Sequence, residues 1–325
     1  MNVAILCSAH GYGHTGRQLA LAQALRARGC AVRLYTAVPV ARFEEDAAGI
    51  EVIPWTLDVG ILQRDSVSED PDGTGAAIDR IVTDAGIDGL AASVRDVDVA
   101  VVDIAPSGLE ACRRAGVPAI AVGNFDWPWV YSHYPALARF VGPWRSWHTG
   151  HPAYFVAPGP GLFGFDRVEP FGLLGRKRPA VRVAERAVLV SFGGFGLAAF
   201  DSLLPRIDGV HWVVAAPMPA LDRPDVRVVE GVGYPALVAG ADAVLTKPGY
   251  GIYAEAALAG TPLVWIDRGA FPEAPYLEAA MHARGDEKVG ADGVAAALAR
   301  CLARPRPPRV ADDAADRMAA SICRG

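Results

Sequence analysis

Residues 245–276 contain a group of residue types that suits the binding of a nucleotide. Gly249 and Gly251 allow the backbone to approach a ligand closely. The helix predicted to begin near Tyr250 presents unpaired N–H groups that favour phosphate. Glu255 lies further into that helix, where one carboxylate can accept hydrogen bonds from two ribose hydroxyls. We therefore predict a phosphate and ribose site here; the alternative for the stretch alone is a tight β–α turn with a surface glutamate.

A second glycine-rich run, HGYGHTG at residues 10–16, follows the first predicted strand. Its glycines satisfy the GxGxxG spacing of a dinucleotide-binding turn, in which the backbone contacts a pyrophosphate. Such a site also needs an acidic residue about 20 positions further on to hold a ribose. The second strand ends in YTA at residues 35–37, which provides neither Asp nor Glu. No GK[ST] follows the glycines, which excludes a Walker A loop. Since two histidines also flank the glycines, an NAD site is the weaker interpretation.

Short apolar runs that alternate with helical patterns predict an α/β fold with doubly wound parallel sheets. The predicted strands are residues 3–7, 31–35, 51–54, 97–102, 118–122, 187–191, 212–215, 226–229, 243–246 and 262–266. The predicted helices run from residue 15 or 16 to 28, and over 76–94, 107–115, 197–204, 235–239, 290–303 and 311–323. Each half opens with a strand and a glycine-rich turn, so we expect two similar domains.

A chain of 325 residues exceeds what one hydrophobic core usually covers, which predicts two domains. The Gly-rich and basic run at residues 172–179 is typical of a linker. We assign residues 1–172 to an N-terminal Rossmann-like domain, 173–186 to the linker and 187–308 to a C-terminal domain. We expect residues 309–325 to form a final helix that packs back on the first domain or trails from the second.

The composition narrows the classes of function. Hydrophobic residues make up 52% of the chain and charged residues 21%, which is typical of a globular enzyme. The net charge of −5 argues against a nucleic-acid-binding surface. Five cysteines without CxxC spacing indicate neither a disulfide framework nor a zinc site. Residues 1–9 run straight into a strand, and no apolar run reaches the roughly 20 residues of a spanning helix. We therefore expect a soluble, cytoplasmic protein.

Four segments occur in an order that resembles a known family. They are AHGYGH at residues 9–14, NFDW at 124–127, GYGIYAEA at 249–256 and FPEAPY at 271–276. The set resembles the two-domain GT-B glycosyltransferases, which include the peptidoglycan GlcNAc-transferase and plant natural-product glycosyltransferases. It is more similar still to the glycosyltransferase-like region of plant arabinokinases, where GHGxGH, NFxW, GYGxxxEA and an FxEEPF-like tail follow in the same order. The resemblance implies two Rossmann-like doubly wound domains that face a cleft.

The resemblance implies that the C-terminal domain holds a nucleotide-sugar donor. The turn around Gly249 would bind the diphosphate, Glu255 the ribose and Glu273 the donor sugar. This chain has Glu-Ala-Pro from Glu273 onward, where the family commonly has Asp-Gln, Glu-Gln or Asn, which leaves the sugar preference open. The donor-binding candidates are Gly193, Gly194, Lys247, Gly249, Tyr250, Gly251, Glu255 and Glu273.

The resemblance places His14 at the position of the general base and Asp103 at that of its acidic partner. Imidazole suits this task because its pKa lies near neutral pH, and a carboxylate beside it fixes the tautomer and stabilises the imidazolium. His10 is the rival base and Asp126 a weaker one. The aromatic segment at residues 125–147 would line the acceptor side. The acceptor-side candidates are His10, Gly13, Arg17, Asn124, Asp126 and Trp127.

The sequence shows no convincing metal-ligand spacing. In a GT-B site a helix N-terminus offsets the charge of the leaving diphosphate, so we expect transfer without a metal or a cofactor. The donor would be a nucleoside-diphosphate sugar, which we expect to be UDP-linked, and inversion is implied by the family alone. The acceptor would be a small molecule, a glycan or a lipid-linked compound reached by peripheral membrane contact, and we expect no nucleic-acid partner. Two alternatives stay open: a nucleotide-sugar 2-epimerase or hydrolase on the same fold, and a non-catalytic sugar-nucleotide-binding subunit.

Overall fold

The structure is a computed structural model that describes residues 1–39, 43–64, 68–192, 204–216, 223–267, 269–311 and 313–324. The chain divides into two compact units. The first comprises Met1–Leu174, Phe271–Glu273 and Asp312–Gly325, and the second comprises Gly175–Ala270 and Ala274–Ala311. The division at Leu174 falls within the linker expected at residues 173–186. Residues 271–273 belong to the first unit, although the chain on both sides of them belongs to the second.

Strands and helices alternate along the described residues. The strands are β1 (Asn2–Cys7), β2 (Ala31–Thr36), β3 (Glu51–Pro54), β4 (Val99–Asp103), β5 (Ala119–Gly123), β6 (Pro152–Val156), β7 (Arg167–Gly172), β8 (Ala187–Ser191), β9 (His211–Ala215), β10 (Val226–Val229), β11 (Ala243–Thr246), β12 (Leu263–Trp265) and β13 (Glu287–Lys288). The helices are α1 (Tyr12–Ala27), α2 (Glu44–Ala47), α3 (Pro71–Ile81), α4 (Asp84–Ser93), α5 (Pro106–Ala115), α6 (Trp127–Tyr131), α7 (Ala138–Ser146), α8 (Tyr234–Gly240), α9 (Tyr250–Ala259), α10 (Ala274–Ala283), α11 (Val294–Ala303) and α12 (Ala314–Ile322). Short 3₁₀ turns occur at Pro135–Leu137 and Ala291–Gly293.

Each unit is built on one parallel sheet in the described part of the chain. The order is β3-β2-β1-β4-β5-β6-β7 in the first unit and β10-β9-β8-β11-β12-β13 in the second. The strand order reverses beside β1 in the first sheet and beside β8 in the second, and such switch points are where open α/β sheets bind ligands. The central strands are apolar along their length because helices cover both faces, and Val3 to Cys7 of β1 are fully buried. The predicted α/β class with two Rossmann-like doubly wound domains is confirmed.

Helix α1 begins earlier than the sequence indicates. The expected start at residue 15 or 16 treats residues 8–14 as a loop. In the structure Gly11 makes the turn with a φ of 79°, and the helix starts at the next residue. His14 therefore lies in the first turn of α1, where its side chain has the fixed direction of a helical residue.

Other differences have local causes. The single helix expected at residues 76–94 is two helices, because Asp70 accepts a hydrogen bond from Gly73 N at the start of α3 and Thr83 accepts one from Gly86 N at the start of α4. Strands β6 and β7 and helix α10 were not predicted. The sequence of α10 opens with Ala-Pro and reads as a polar loop, although proline is well suited to a first helical turn. The predicted helix at residues 197–204 lies mostly outside the described residues.

The C-terminal helix α12 is part of the first unit and lies against α1 and β7. Arg317 Nη2 donates to Phe171 O at 2.7 Å, and the Tyr154 hydroxyl donates to Ser321 Oγ at 2.9 Å. No helix of the described residues is long and apolar enough to cross a lipid bilayer.

Candidate active site

His14 and Asp103 meet at the carboxyl edge of the first sheet. Asp103 is the last residue of β4, and its Cα pairs with that of Cys7, the last residue of β1. The chain then turns through Gly11 into α1, which places His14 above this edge. Its Nδ1 lies 2.8 Å from Asp103 Oδ1. The two residues that the sequence assigns to base and acidic partner are thus within hydrogen-bonding distance.

Asp103 is fully buried, and both of its carboxylate oxygens accept hydrogen bonds. Arg17 Nε donates to Oδ2 at 2.7 Å, Arg17 Nη2 to Oδ1 at 2.6 Å and Gln18 Nε2 to Oδ2 at 2.8 Å. Burial alone would raise the pKa of this carboxyl, but the charges of Arg17 and His14 and their hydrogen bonds hold it well below its ordinary value. The carboxylate therefore stays ionised. Arg17 was expected to face a ligand, and the structure instead buries it beneath His14 to 2% exposure.

Arg17 continues the network toward Glu273. Its Nη1 donates to Asn124 Oδ1 at 2.7 Å, and Asn124 Nδ2 donates to Glu273 Oε1 at 2.6 Å. Glu273, which the resemblance assigns to the donor sugar, is buried in the first unit with Phe271. A continuous set of hydrogen bonds thus joins the base candidate to the glutamate through Asp103, Arg17 and Asn124.

A buried aspartate that the sequence analysis did not select lies beside this network. Asp58 accepts hydrogen bonds from Ser8 Oγ at 3.0 Å and from Trp127 Nε1 at 2.8 Å. Burial raises its pKa from 3.8 to about 6, although both donors act in the opposite direction. An aspartate between the apolar residues Leu57 and Val59 was the available signal, but the surrounding polar loop concealed it.

Two residues predicted for the acceptor side, Asp126 and Trp127, make contacts that stabilise the surrounding structure. Asp126 caps α6 by accepting from Trp129 N at 2.8 Å and also accepts from Phe163 N at 2.9 Å, while burial raises its pKa to about 6. Trp127 is fully buried, and its ring stacks on that of Tyr131. The aromatic segment thus contributes to a core beneath the site. Gly13 lies in the first turn of α1.

In the second unit, helix α9 opens toward the carboxyl edge of its sheet. Gly249 is the N-cap of α9, without a side-chain cap, and Tyr250 and Gly251 form the first turn. Among the described residues, a Cβ built on Gly249 would have no heavy atom closer than 3.9 Å. Space is therefore left beside Gly249 at a helix N-terminus, the end of a helix that favours phosphate. Lys247 lies just before this turn and is half-buried.

Glu255 lies deeper in α9 and is paired with an arginine. Arg176 Nε donates to Glu255 Oε1 at 2.8 Å, and Arg176 Nη2 lies 2.6 Å from the same oxygen. Both side chains are less than one-tenth exposed, and both line a cavity of about 390 Å³. Sequence reasoning selected the glutamate but not the arginine, because the GRKR run at residues 175–178 reads as a linker.

Three further residues gather at the carboxyl edge of the second sheet. The Tyr234 hydroxyl, in the first turn of α8, donates to Ser191 Oγ at the end of β8. Thr246 Oγ1, at the end of β11, donates to Ser191 O at 2.7 Å. Gly193 and Gly194, predicted for the turn after β8, lie outside the described residues.

Neither unit shows a metal centre, since the described residues contain no group of three or more His, Cys, Asp or Glu side chains that could hold an ion. The first unit also has a cavity of about 590 Å³, whose lining includes Val99, the first residue of β4. His14 and Asp103 lie at the opposite end of that strand, so this cavity is not part of the candidate site.

Comparisons with known proteins agree with the fold. No family model matches the chain. The L-arabinokinase of Arabidopsis thaliana is 26% identical over 298 residues, which cover 82% of this chain but only 28% of that protein. Among solved structures, the glycotransferase of kitacinnamycin has a TM-score of 0.64 at 20% identity, with 99% of this chain and 94% of that chain covered. The fold is that of the GT-B glycosyltransferases.

A second similar structure is a complex with a nucleotide. The glycosyltransferase VinC in complex with dTDP has a TM-score of 0.63 at 18% identity, with 99% of this chain and 94% of that chain covered. In a GT-B fold, the unit that contains His14 and Asp103 corresponds to the N-terminal Rossmann-like domain. The unit that contains α9 corresponds to the C-terminal one. The chain spans little more than a quarter of the length of the arabinokinase it matches.

Proposed function

We propose that this chain is a glycosyltransferase that transfers a sugar from a nucleoside-diphosphate sugar to an acceptor hydroxyl, and that the nucleotide of the donor is UDP. The observation that carries the proposal is the contact of 2.8 Å between His14 Nδ1 and Asp103 Oδ1 at the carboxyl edge of a sheet with the GT-B order. The glycine-capped α9 with Glu255 supports it from the second unit.

His14 acts on the acceptor. With its Nδ1 proton donated to Asp103, Nε2 has the lone pair that removes the proton from the acceptor hydroxyl as that oxygen attacks the anomeric carbon. The imidazolium that forms is stabilised by Asp103, which Arg17 and Gln18 keep ionised and oriented. Attack on the face opposite the leaving group inverts the anomeric centre.

The second unit acts on the donor. The first turn of α9 donates N–H groups to the diphosphate, and Glu255 accepts the ribose hydroxyls. When the bond between the anomeric carbon and the phosphate oxygen breaks, that oxygen takes the electron pair, and the positive end of the α9 dipole offsets the charge without a metal. From the first unit, Glu273, which Asn124 orients, contacts the sugar. Because VinC was solved in complex with dTDP, dTDP-sugars are the first donors to compare with UDP-sugars.

Calorimetric titration with UDP-, GDP- and dTDP-sugars tests the proposal. We expect one of these classes to bind and its nucleoside diphosphate to be released when an acceptor is added. His14→Ala should bind the donor normally and lose about 10³-fold in kcat. The matched control is His133→Ala, since His133 is exposed and pairs with Trp129. If no nucleoside diphosphate binds, the proposal fails.

The competing activities have distinct products. A hydrolase would release free sugar from the donor in water without any acceptor, and a 2-epimerase would convert the sugar while leaving the nucleotide attached. Analysis of the reaction mixture by mass spectrometry and NMR separates these outcomes from transfer. Either product as the main one would contradict the assignment of His14 to acceptor activation.

A further inference from the structure

Two thiols that are far apart in the sequence are neighbours in the first unit. Cys30 Sγ and Cys323 Sγ are 3.6 Å apart, although 293 positions separate the two residues in the chain. Both residues belong to the first unit, and both are reduced in the structure. A disulfide bond is about 2.05 Å long, so the sulfurs would have to approach each other by about 1.5 Å to form one.

The backbone of each cysteine is fixed by local structure. Gly29, with a φ of 81°, ends α1 in a turn, and the N–H of Cys30 donates to Leu25 O at 3.2 Å. Cys323 directly follows the last residue of α12, and its N–H donates to Ala319 O at 3.0 Å. The proximity of the two sulfurs therefore follows from the positions of two ordered segments.

Non-covalent contacts already hold α12 against the first unit close to this pair. The helix buries Met318 and Ile322. Arg28, the C-cap of α1, donates from Nη2 to Asp316 O in α12 at 3.2 Å. A bond between the two sulfurs would therefore join segments that pack together without it.

The two thiols differ in their access to solvent. Cys323 is exposed, whereas Cys30 is only 8% exposed. Burial and the neighbouring Cys323 sulfur raise the pKa of the Cys30 thiol, although the charge of Arg28 acts in the opposite direction. A small disulfide in solution therefore reaches Cys323 first, and Cys30 is the thiol that completes the bond.

We propose that Cys30 and Cys323 form a reversible disulfide that fastens α12 to the first unit under oxidising conditions. The Cys323 thiolate attacks one sulfur of a low-molecular-weight disulfide, whose S–S bond breaks and releases one thiolate. The Cys30 thiolate then attacks Cys323 Sγ, which forms the protein disulfide and releases the second thiolate. Two electrons pass from the protein to the small disulfide, and the two thiol protons pass to the solvent or to the released thiolates. The inference does not depend on the proposed sugar transfer.

The three other cysteines serve as an internal control. Cys7, Cys112 and Cys301 are at most 2% exposed. Burial raises the pKa of each of these thiols, which lowers their reactivity further. We therefore expect them to stay reduced under conditions that oxidise the proposed pair.

Thiol mapping of the full chain tests whether the bond forms. The reduced protein is incubated with mixtures of reduced and oxidised glutathione at mildly alkaline pH, then alkylated in denaturant and analysed by mass spectrometry without reduction. We expect a monomer that is alkylated on three of its five cysteines, with peptides joined through Cys30 and Cys323, and dithiothreitol should restore all five thiols. A stable glutathione adduct on Cys323, a disulfide-linked dimer, or five free thiols throughout would each overturn the inference.

Substitutions separate the two steps of the reaction. Cys30→Ala should keep a glutathione adduct on Cys323 that does not resolve, whereas Cys323→Ser should form neither the adduct nor an internal bond. Cys301→Ala is the matched control, because it removes a buried thiol of the second unit and should form the bond as the wild type does. An internal disulfide in either variant of the pair would contradict the assignment.

Hydrogen exchange measures whether the bond fastens α12. Amide groups in a helix exchange when the helix opens locally, and a covalent link at its carboxyl end should make that opening rarer. We expect peptides from α12 to exchange about tenfold more slowly in the oxidised protein than in the reduced one. Cys30→Ala, treated in the same two ways, should show no such difference. Equal exchange in the two forms of the wild type would overturn the proposed effect on the helix.

Discussion

The two units each begin a helix at a glycine, and the two glycines are needed for different reasons. Gly11, before α1, has a φ of 79°, which other residues adopt only with strain. Gly249, before α9, has a φ of −162°, which is extended backbone open to any residue, and a Cβ built on it would clash with none of the described residues. The fold requires the first glycine. The second keeps space open at a helix N-terminus, where we propose that the diphosphate binds.

The carboxylates beside these two helices also differ, in their burial and in their partners. Asp103 is fully buried and surrounded by donors from His14, Arg17 and Gln18, so it acts on a ligand only through His14. Glu255 pairs with Arg176 and is among the residues that line a cavity. The first carboxylate is therefore placed to support the base that we propose, and the second to be the binding group that we propose.

The largest effect is expected for Asp103→Asn. This substitution leaves Arg17 buried without its counter-charge, so the free energy of unfolding should fall by about 3–5 kcal/mol. The variant should also lose about 10³-fold in kcat, because the amide no longer fixes the His14 tautomer. Denaturant unfolding and initial rates measure the two effects.

Two further variants keep this prediction testable. Asp103→Asn combined with Arg17→Met removes both charges and should recover much of the stability but none of the activity. Asp126→Asn is the matched control, since Asp126 accepts from the backbone N–H groups of Trp129 and Phe163, away from His14. Normal kcat in Asp103→Asn would contradict the role of Asp103.

Glu255→Gln should weaken donor binding by about a hundredfold, close to 3 kcal/mol. The neutral amide is a poorer acceptor for two ribose hydroxyls than the carboxylate. At saturating donor, kcat should stay within about threefold of wild type, because the ribose does not react. Titration calorimetry measures the affinity, and Glu287→Gln, which breaks a surface pair with Arg300, is the control. Unchanged affinity would remove Glu255 from the ribose site.

Much of this architecture could be predicted from the sequence, for physical reasons. Buried parallel strands are continuous apolar runs, so the core strands of both sheets were found within a residue or two, and β3, β8, β10 and β11 have the predicted bounds. Strand β7, at the edge of the sheet, has no apolar signal because it is largely exposed. Strand β6 lies between β5 and β7 and was not predicted, although most of it is buried.

Only part of the candidate site could be predicted. The family resemblance assigned His14 and Asp103 to the base and its acidic partner, and their side chains lie within hydrogen-bonding distance. Arg17, Asn124 and Glu273 were each selected, but for contacts with a ligand. Their hydrogen bonds to one another join residues that are 107 and 149 positions apart in the chain, which no local pattern encodes.

Asp58 gives the first unit a pH dependence. Because burial raises its pKa from 3.8 to about 6, the folded state binds its proton more tightly than the unfolded state does. Its contribution to stability is therefore largest below about pH 4 and is lost as the pH rises through about 6.

Comparison of the wild type with Asp58→Asn isolates this contribution. Their difference in free energy of unfolding should change by on the order of 2 kcal/mol between pH 4 and pH 6, with the wild type relatively weaker at the higher pH. The comparison cancels Asp126, whose pKa is also raised to about 6. Denaturant titrations at several pH values measure the difference, and a constant difference over this range would contradict the prediction.

The smallest effects test the glycine comparison itself. Gly11→Ala should reduce the free energy of unfolding by about 1 kcal/mol, because alanine is strained at a φ of 79°. Gly249→Ala should leave stability unchanged within about 0.5 kcal/mol, since its backbone is extended and the added methyl group meets no atom of the described residues within 3.9 Å. The second substitution should nevertheless weaken donor binding about tenfold, because the methyl group occupies the approach of the diphosphate to the N–H groups of α9. Unfolding and calorimetry on the two variants decide the matter: a destabilised Gly249→Ala, or one that binds the donor normally, would mean that this glycine serves the fold as Gly11 does.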